Sequence, residues 1–167
     1  LPDLWVVDAS PIITLAKAGY LDLLGQLASL IVPEAVAREI EAGPVSDPAR
    51  KALEAGWGAR AAPREIPKSV VEWGLGVGES AVLALCLDDS GRTAVLDDAA
   101  ARRCARTLGV PLIGTLAVVL RAKQAGLISS ASEIASALVQ SGLRLDDETL
   151  RKALEKGAGE VWSPKGS

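Results

Sequence analysis

Residues 4–17 read LWVVDASPIITLAK. The apolar run from Leu4 to Val7 stops abruptly at Asp8, and Ser10-Pro11 follows at once. An unbroken apolar run suits a strand buried on both faces, as in a parallel sheet covered by helices. Ser10 as N-cap with Pro11 at the first helical position predicts a helix to about Lys17. Strand, acid and helix start thus succeed one another within a dozen residues. Open α/β sheets place their ligand crevice at the carboxyl ends of strands, so Asp8 falls at the edge where chemistry is expected.

The pattern continues outward. Leu30 to Val32 reads as a second strand, with Pro33 opening a helix to Glu41 that Gly43-Pro44 ends. Asp47-Pro48 starts another helix, and residues 59–66 read as a peripheral strand before a break at Pro67. Residues 73–78 form a glycine-rich loop. The helix from Glu79 to about Leu87 is apolar around most of its circumference and is expected to be central. Thr93 to Leu96 is a strand, Asp98 to Leu108 a helix and Val110 to Ile113 a strand. Gly114-Thr115 launches a helix to about Ala125, with Thr115 as its cap. Two amphipathic helices joined at Gly142 complete the chain. Strands alternating with helices predict a three-layer α/β/α sandwich on a mostly parallel sheet. The expected organisation is a catalytic unit over residues 1–128, a helical extension of the same domain over 129–160, and a polar tail over 161–167. Ile134, Leu138, Leu150 and Leu154 either pack on the sandwich or form a homodimer face.

Four acid-bearing stations stand out: Asp8, Glu39, Glu79 and Asp97. Glu39 and Glu41 compete for the second. At 100° per residue Glu39 lies about 60° from Val36, bordering the Val36–Ile40 stripe, whereas Glu41 and Arg38 fall on the solvent face. Glu79 shares a stripe with Val82, Leu83 and Cys86 and so points inward, although acids also favour helix N-termini electrostatically. Asp97 and Asp98 both follow a strand. Asp97 is taken as the metal-facing acid and Asp98 as a helix cap or outer ligand, with an i, i+4 ion pair to Arg102 as the plain alternative. Two carboxylates about 4 Å apart repel by about 4 kcal/mol at an effective dielectric near 20. A cluster of them calls for a hard cation, Mg²⁺ or Mn²⁺. Ser10 is a secondary contact for water on such an ion.

Composition narrows the field. The 167 residues are 49% hydrophobic but only 3% aromatic, with no Phe, so the core must be aliphatic. No His occurs, which excludes Ser-His-Asp triads, His-containing zinc and iron sites and imidazole acid–base catalysis. Cys86 and Cys104 lack C-x-x-C spacing and read as small buried hydrophobes in a reducing compartment. A net charge of −3 supplies no global attraction for nucleic acid, so any such contact needs a local basic patch. Arg102, Arg103 and Lys123 are candidates for that patch, and Thr115 for a contact to water or phosphate. Gly74-Leu75-Gly76-Val77-Gly78 has neither the position nor the spacing of a dinucleotide fingerprint and reads as a loop delivering Glu79. With no basic leader or membrane-length apolar run, a soluble cytoplasmic protein is expected.

Five segments in order carry a resemblance: VVDASPIITLAKAGYLDLL (6–24), VPEAVAREI (32–40), LGVGESAVLAL (75–85), VLDDAAARRCARTLGV (95–110) and GTLAVVLRAKQAGLI (114–128). Together the chain resembles a PIN domain of the VapC-like prokaryotic branch. The resemblance implies a sheet of order 3-2-1-4-5 with Asp8, Glu39, Glu79 and Asp97 as the acids at its carboxyl edge. Many PIN nucleases have Asp at the third position, so Glu79 departs from the commoner pattern. A further acid often found downstream has no counterpart here, where Thr115 stands instead. The implied activity is Mg²⁺- or Mn²⁺-dependent hydrolysis of RNA phosphodiester bonds, with Asp8 and Asp97 as direct ligands and Glu39 and Glu79 as direct or water-mediated ones. The implied partners are RNA, an antitoxin protein and a second copy of the chain. Two alternatives stand beside it: a PIN-like module that binds RNA or protein without cutting, and a phosphate-receiving signalling domain. The second lacks the paired acids it needs after the first strand, because Ala9-Ser10 follow Asp8.

Overall fold

A computed structural model describes residues 2–162. The strands are β1 (Leu4–Val7), β2 (Ser29–Pro33), β3 (Ala59–Ala61), β4 (Arg92–Val95) and β5 (Leu112–Ile113). They form one parallel sheet in the order β3-β2-β1-β4-β5. The connecting helices are α1 (Ala9–Ala18), α2 (Asp22–Leu27), α3 (Glu34–Glu41), α4 (Pro48–Glu54), α5 (Lys68–Val71), α6 (Val77–Asp88), α7 (Ala99–Thr107) and α8 (Thr115–Gln124). Two more, α9 (Ala131–Gln140) and α10 (Asp147–Ala158), follow the sheet. This is the expected sandwich, with helices flanking a parallel sheet.

Strand β1 is the hinge of the topology. The chain steps from it to β2 and β3 on one side, then returns to β4 and β5 on the other. Right-handed crossovers therefore put α1 and α2 on one face and α6 and α7 on the opposite one. The crevice between the two directions of winding opens at the carboxyl end of β1, beside Asp8. Trp5, Val6 and Val7 are buried, which explains why β1 reads as a continuous apolar run rather than an alternating one.

Helix α6 lies across the centre of the sheet, and every residue from Ala81 to Cys86 is buried. Its lack of a polar face follows from contact on all sides with β1, β2, β4, α3 and α7. Among the described residues the core is aliphatic apart from Trp5, Trp162 and the thiols of Cys86 and Cys104. Ile134, Leu138, Leu150 and Leu154 are buried inside the single chain, so of the two alternatives they pack on the sandwich and are not free to form a dimer face. The physical reason is that α9 and α10 fold back on α1 and α8. Trp162, placed in a polar tail on sequence grounds, is buried too, whereas residues 163–167 of that tail lie outside the described residues.

Three local expectations shift. Helix α1 begins at Ala9, so Asp8 and not Ser10 occupies the cap position, without a side-chain cap bond. Ser10 sits instead in the first turn, exposed. The stretch read as a glycine-rich loop already contains the first two residues of α6, and the short α5 precedes it. Thr115 is the first residue of α8, with Gly114 as the cap.

Candidate metal centre

Strand register delivers the first acids. Val7 pairs with Val95 across β1–β4, and Val95 with Ile113 across β4–β5. The residues just beyond therefore emerge side by side: Asp8, then Leu96 and Asp97, then Gly114 and Thr115. The Asp8 amide donates to Val95 O at 3.1 Å and the Leu96 amide to Ile113 O at 2.9 Å, extending the ladder to the rim.

Asp8 is only 4% exposed, and among the described residues no side chain pairs with its carboxylate. Burial pushes its pKa up from 3.8 to about 7; the Ala9 amide opposes that rise, and repulsion from Glu79, Glu39 and Asp97 adds to it. All four acid stations thus share one field. Asp97 is half-buried and held by Thr115, whose amide donates to Oδ1 at 2.8 Å and whose hydroxyl donates to Oδ2 at 2.5 Å. Thr115 itself is fully buried. Gly114 is packed into the same corner: a Cβ there would come within 3.1 Å of Asp97 Oδ1 and 2.8 Å of Arg102 Nη1.

Asp98 turns away and accepts from the Ala101 amide at 2.9 Å as the cap of α7, though it still borders the cleft. No ion pair joins it to Arg102, which donates instead to the Leu96 carbonyl at 2.9 Å. Glu39 is exposed and Glu41 half-buried, the reverse of what helical spacing predicts, yet their surroundings differ. Arg60 on β3 engages Glu41, whereas Glu39 faces α6. A Cβ on Gly78 would lie 3.0 Å from Glu39 Oε2, 3.3 Å from Val36 Cγ2 and 3.5 Å from Asp8 Oδ1. Glycine at 78 is what lets α6 approach this closely.

Glu79 combines its two readings. It is half-buried beside Asp8, and its Oε2 also accepts from the Gly76 amide at 2.8 Å, satisfying a free donor at the start of α6. It borders both a cleft of about 580 Å³ that holds Asp8, Asp97 and Asp98 and a hollow of about 410 Å³ that holds Glu39 and Arg38.

Among the described residues, no three His, Cys, Asp or Glu side chains converge on a single point. The acids surround Asp8 at the sheet edge without forming a closed ligand set. Repulsion separates the carboxylates, and Thr115, Gly76 and Ala101 each hold one of them off-centre. The donor set remains hard oxygen throughout, which fits Mg²⁺ or Mn²⁺. The strongest sign of that fit is a buried carboxylate with no cation partner, ringed by other acids, since burial of an uncompensated charge is costly.

Of the sequence-predicted contact residues, Ser10 and Arg102 reach the crevice, whereas Thr115 is fully buried behind it and spends its hydroxyl on Asp97 rather than on water or phosphate. Arg103 is exposed and lines neither cavity. Lys123 lies eight residues along α8 from Thr115, about 12 Å away at 1.5 Å per residue, and pairs with Glu160 at 3.5 Å. The structure does not bring either to the acids. Arg144, which the sequence reading missed, lines the cleft from the loop between α9 and α10. No spacing signal could have found it, because only tertiary packing carries that loop to the crevice.

A family model described as a PIN domain matches residues 4–159. The chain belongs to the PIN-domain family. PIN domains are generally nucleases that use divalent metal ions, and the parallel 3-2-1-4-5 sheet with acids at its switch point is the corresponding nuclease-type fold. No curated protein matches the chain. No helix among the described residues is long and apolar enough to cross a membrane.

Proposed function

We propose that this PIN domain is a divalent-metal-dependent endoribonuclease of the VapC-like branch, acting in the cytoplasm as the toxin of a toxin–antitoxin pair. The observation that carries the reading is Asp8: buried, without a cation partner, and facing Glu79, Glu39 and Asp97 at the end of the central strand. Asp8 and Asp97 would hold the metal directly, and Glu39 and Glu79 would complete its surroundings, Glu79 after release from the Gly76 amide. Bound Mg²⁺ or Mn²⁺ would polarise the scissile phosphate and a water.

The chain's own residues prepare that event. Thr115 fixes the plane of the Asp97 carboxylate. Arg102, anchored on the Leu96 carbonyl, places a guanidinium at the cleft wall to meet a phosphate. The antitoxin and a second copy of the chain are partners on this reading, and neither contact uses the buried apolar residues of α9 and α10.

Incubation of single-stranded RNA with the protein in Mn²⁺ is the direct test. Cleavage should vanish in Asp8→Asn, in Glu79→Gln and in excess chelator; cleavage that survives all three sinks the reading. A second reading, a PIN-like module that binds RNA or protein without cutting, draws on the failure of three acids to converge. RNA binding with no cleavage at millimolar Mn²⁺ would select it.

A further inference from the structure

The acids occupy only one end of the larger cleft. From Thr115 the cleft runs along α8, past Leu116, Ala117 and Leu120, and is closed by Leu143 and Leu145 of the α9–α10 loop. Leu116 and Leu120 are one helical turn apart, so the apolar wall begins beside Asp97 and continues about 6 Å from it. These side chains are half-buried, except Leu143, which is buried. A metal site needs no such wall.

Charge identifies the occupant. Seven arginines form no ion pair among the described residues, and of these only Arg102 and Arg144 line this cleft. The acids gather at one end of the cleft, while Arg144, with no carboxylate partner, comes from the α9–α10 loop between Leu143 and Leu145 and suits an anion that also carries an apolar face. A nucleotide has both, and a nucleobase without a pairing partner can lay its face on an apolar surface.

We infer that the α8 wall and the α9–α10 loop form a subsite for the unpaired nucleobase next to the scissile phosphate, with Arg144 holding the adjoining phosphate. The inference rests on the ribonuclease reading and extends it: the helices beyond the sheet select single-stranded substrate. Leu116, Leu120 and Leu143 contact the base face, and Arg144 supplies a charge contact indifferent to sequence.

Fluorescein-labelled RNA hexamers, intact or abasic at one position, test this by anisotropy in Mn²⁺ on the Asp8→Asn background, with wild-type cleavage followed separately. Removing the base at one position should weaken binding about fivefold, the low end of what stacking on an aromatic gives. Leu120→Asp, and Ala153→Trp filling the same space from α10, should each erase that difference. Ala153→Trp and a melting curve guard against misfolding of Leu120→Asp, since Leu120 also packs on Gly157. Arg144→Ala should weaken every hexamer alike and lower the salt slope by about 0.7. Equal affinity across the abasic series, a penalty that survives both cleft variants, or no hexamer binding overturns the subsite. The predicted binding pattern without wild-type cleavage overturns the nuclease reading alone.

Discussion

Thr115 satisfies both oxygens of one carboxylate, its amide reaching Asp97 Oδ1 at 2.8 Å and its hydroxyl reaching Oδ2 at 2.5 Å. The pair ties the start of α8 to the end of β4. It also aims an acid that repulsion would otherwise push outward. Thr115→Val keeps the amide bond and the shape but deletes the hydroxyl. Losing such an orienting partner costs about 10–100-fold in metal affinity or activity. We expect a loss in that range in Mn²⁺ titrations, with a melting temperature that changes little. Thr115→Ser should restore most of the affinity, and equal binding by Val and Ser variants would contradict the role.

Asp8 makes the metal-free protein sensitive to pH in an unusual direction. Its folded pKa, raised from 3.8 to about 7, means that the folded state holds a proton which the unfolded state has released. Stability therefore falls as pH rises from about 4 to about 7, by at most about 4 kcal/mol from this group. In chelator, Asp8→Asn should be more stable than wild type at pH 8 and similar to it at pH 4. Mn²⁺ should raise the wild-type melting temperature more at pH 8 than at pH 5. Urea unfolding at these pH values reads both effects.

Gly78→Ala sets two magnitudes against each other. Alanine gains about 1 kcal/mol over glycine within a helix. The new methyl, however, meets Glu39 Oε2 at 3.0 Å and Val36 Cγ2 at 3.3 Å. Overpacking typically costs about 1–3 kcal/mol, so stability should drop by no more than about 2. The larger effect should fall on metal binding, because the contact that must yield is Glu39. Gly76→Ala instead crowds only the flexible end of Glu79. A calorimetric comparison of the two variants should show the greater loss of Mn²⁺ affinity in Gly78→Ala.

Glu160 closes the far end of the fold. Burial works against its ionisation, but the Ala131 and Ser132 amides and the Ser130 hydroxyl outweigh it and bring its pKa to about 2. Because the folded pKa is depressed from 4.5, its contribution is complete above that value and disappears as pH falls toward 2. Glu160→Gln should cost about 1–2 kcal/mol at pH 7 and about a quarter of that at pH 2.5. Thermal melts at the two pH values provide the comparison.

The sheet was legible because its strands are buried on both faces: LWVV cannot be mistaken for an amphipathic surface element. Asp8 and Asp97 were legible as strand-end acids for the same reason. Helical spacing gave Glu39 its direction toward α6, since direction around a helix follows from residue number, but not its exposure, because Arg60 on β3 covers Glu41 instead. Spacing could not show that Glu79 bonds the Gly76 amide, because it fixes a Cβ direction and not the partner of an oxygen. It misplaced the α1 cap from Asp8 to Ser10, because two polar residues capable of capping flank the helix start at Ala9. Arg144 and Lys123 failed in opposite ways. The first is carried to the cleft by a loop distant in sequence, and the second is carried away along its own helix.

The acids differ in how long they hold their places. Asp8 is attached to β1, which is buried and paired on both sides, so its amide should exchange hydrogen only when the whole domain opens. Glu39 is exposed on α3 and Glu79 sits in the first turn of α6, where fraying is a local event. One half of the crevice thus persists as long as the fold, while the other rearranges on much shorter timescales. An arriving cation would find a fixed anchor and bring the mobile ligands in afterwards.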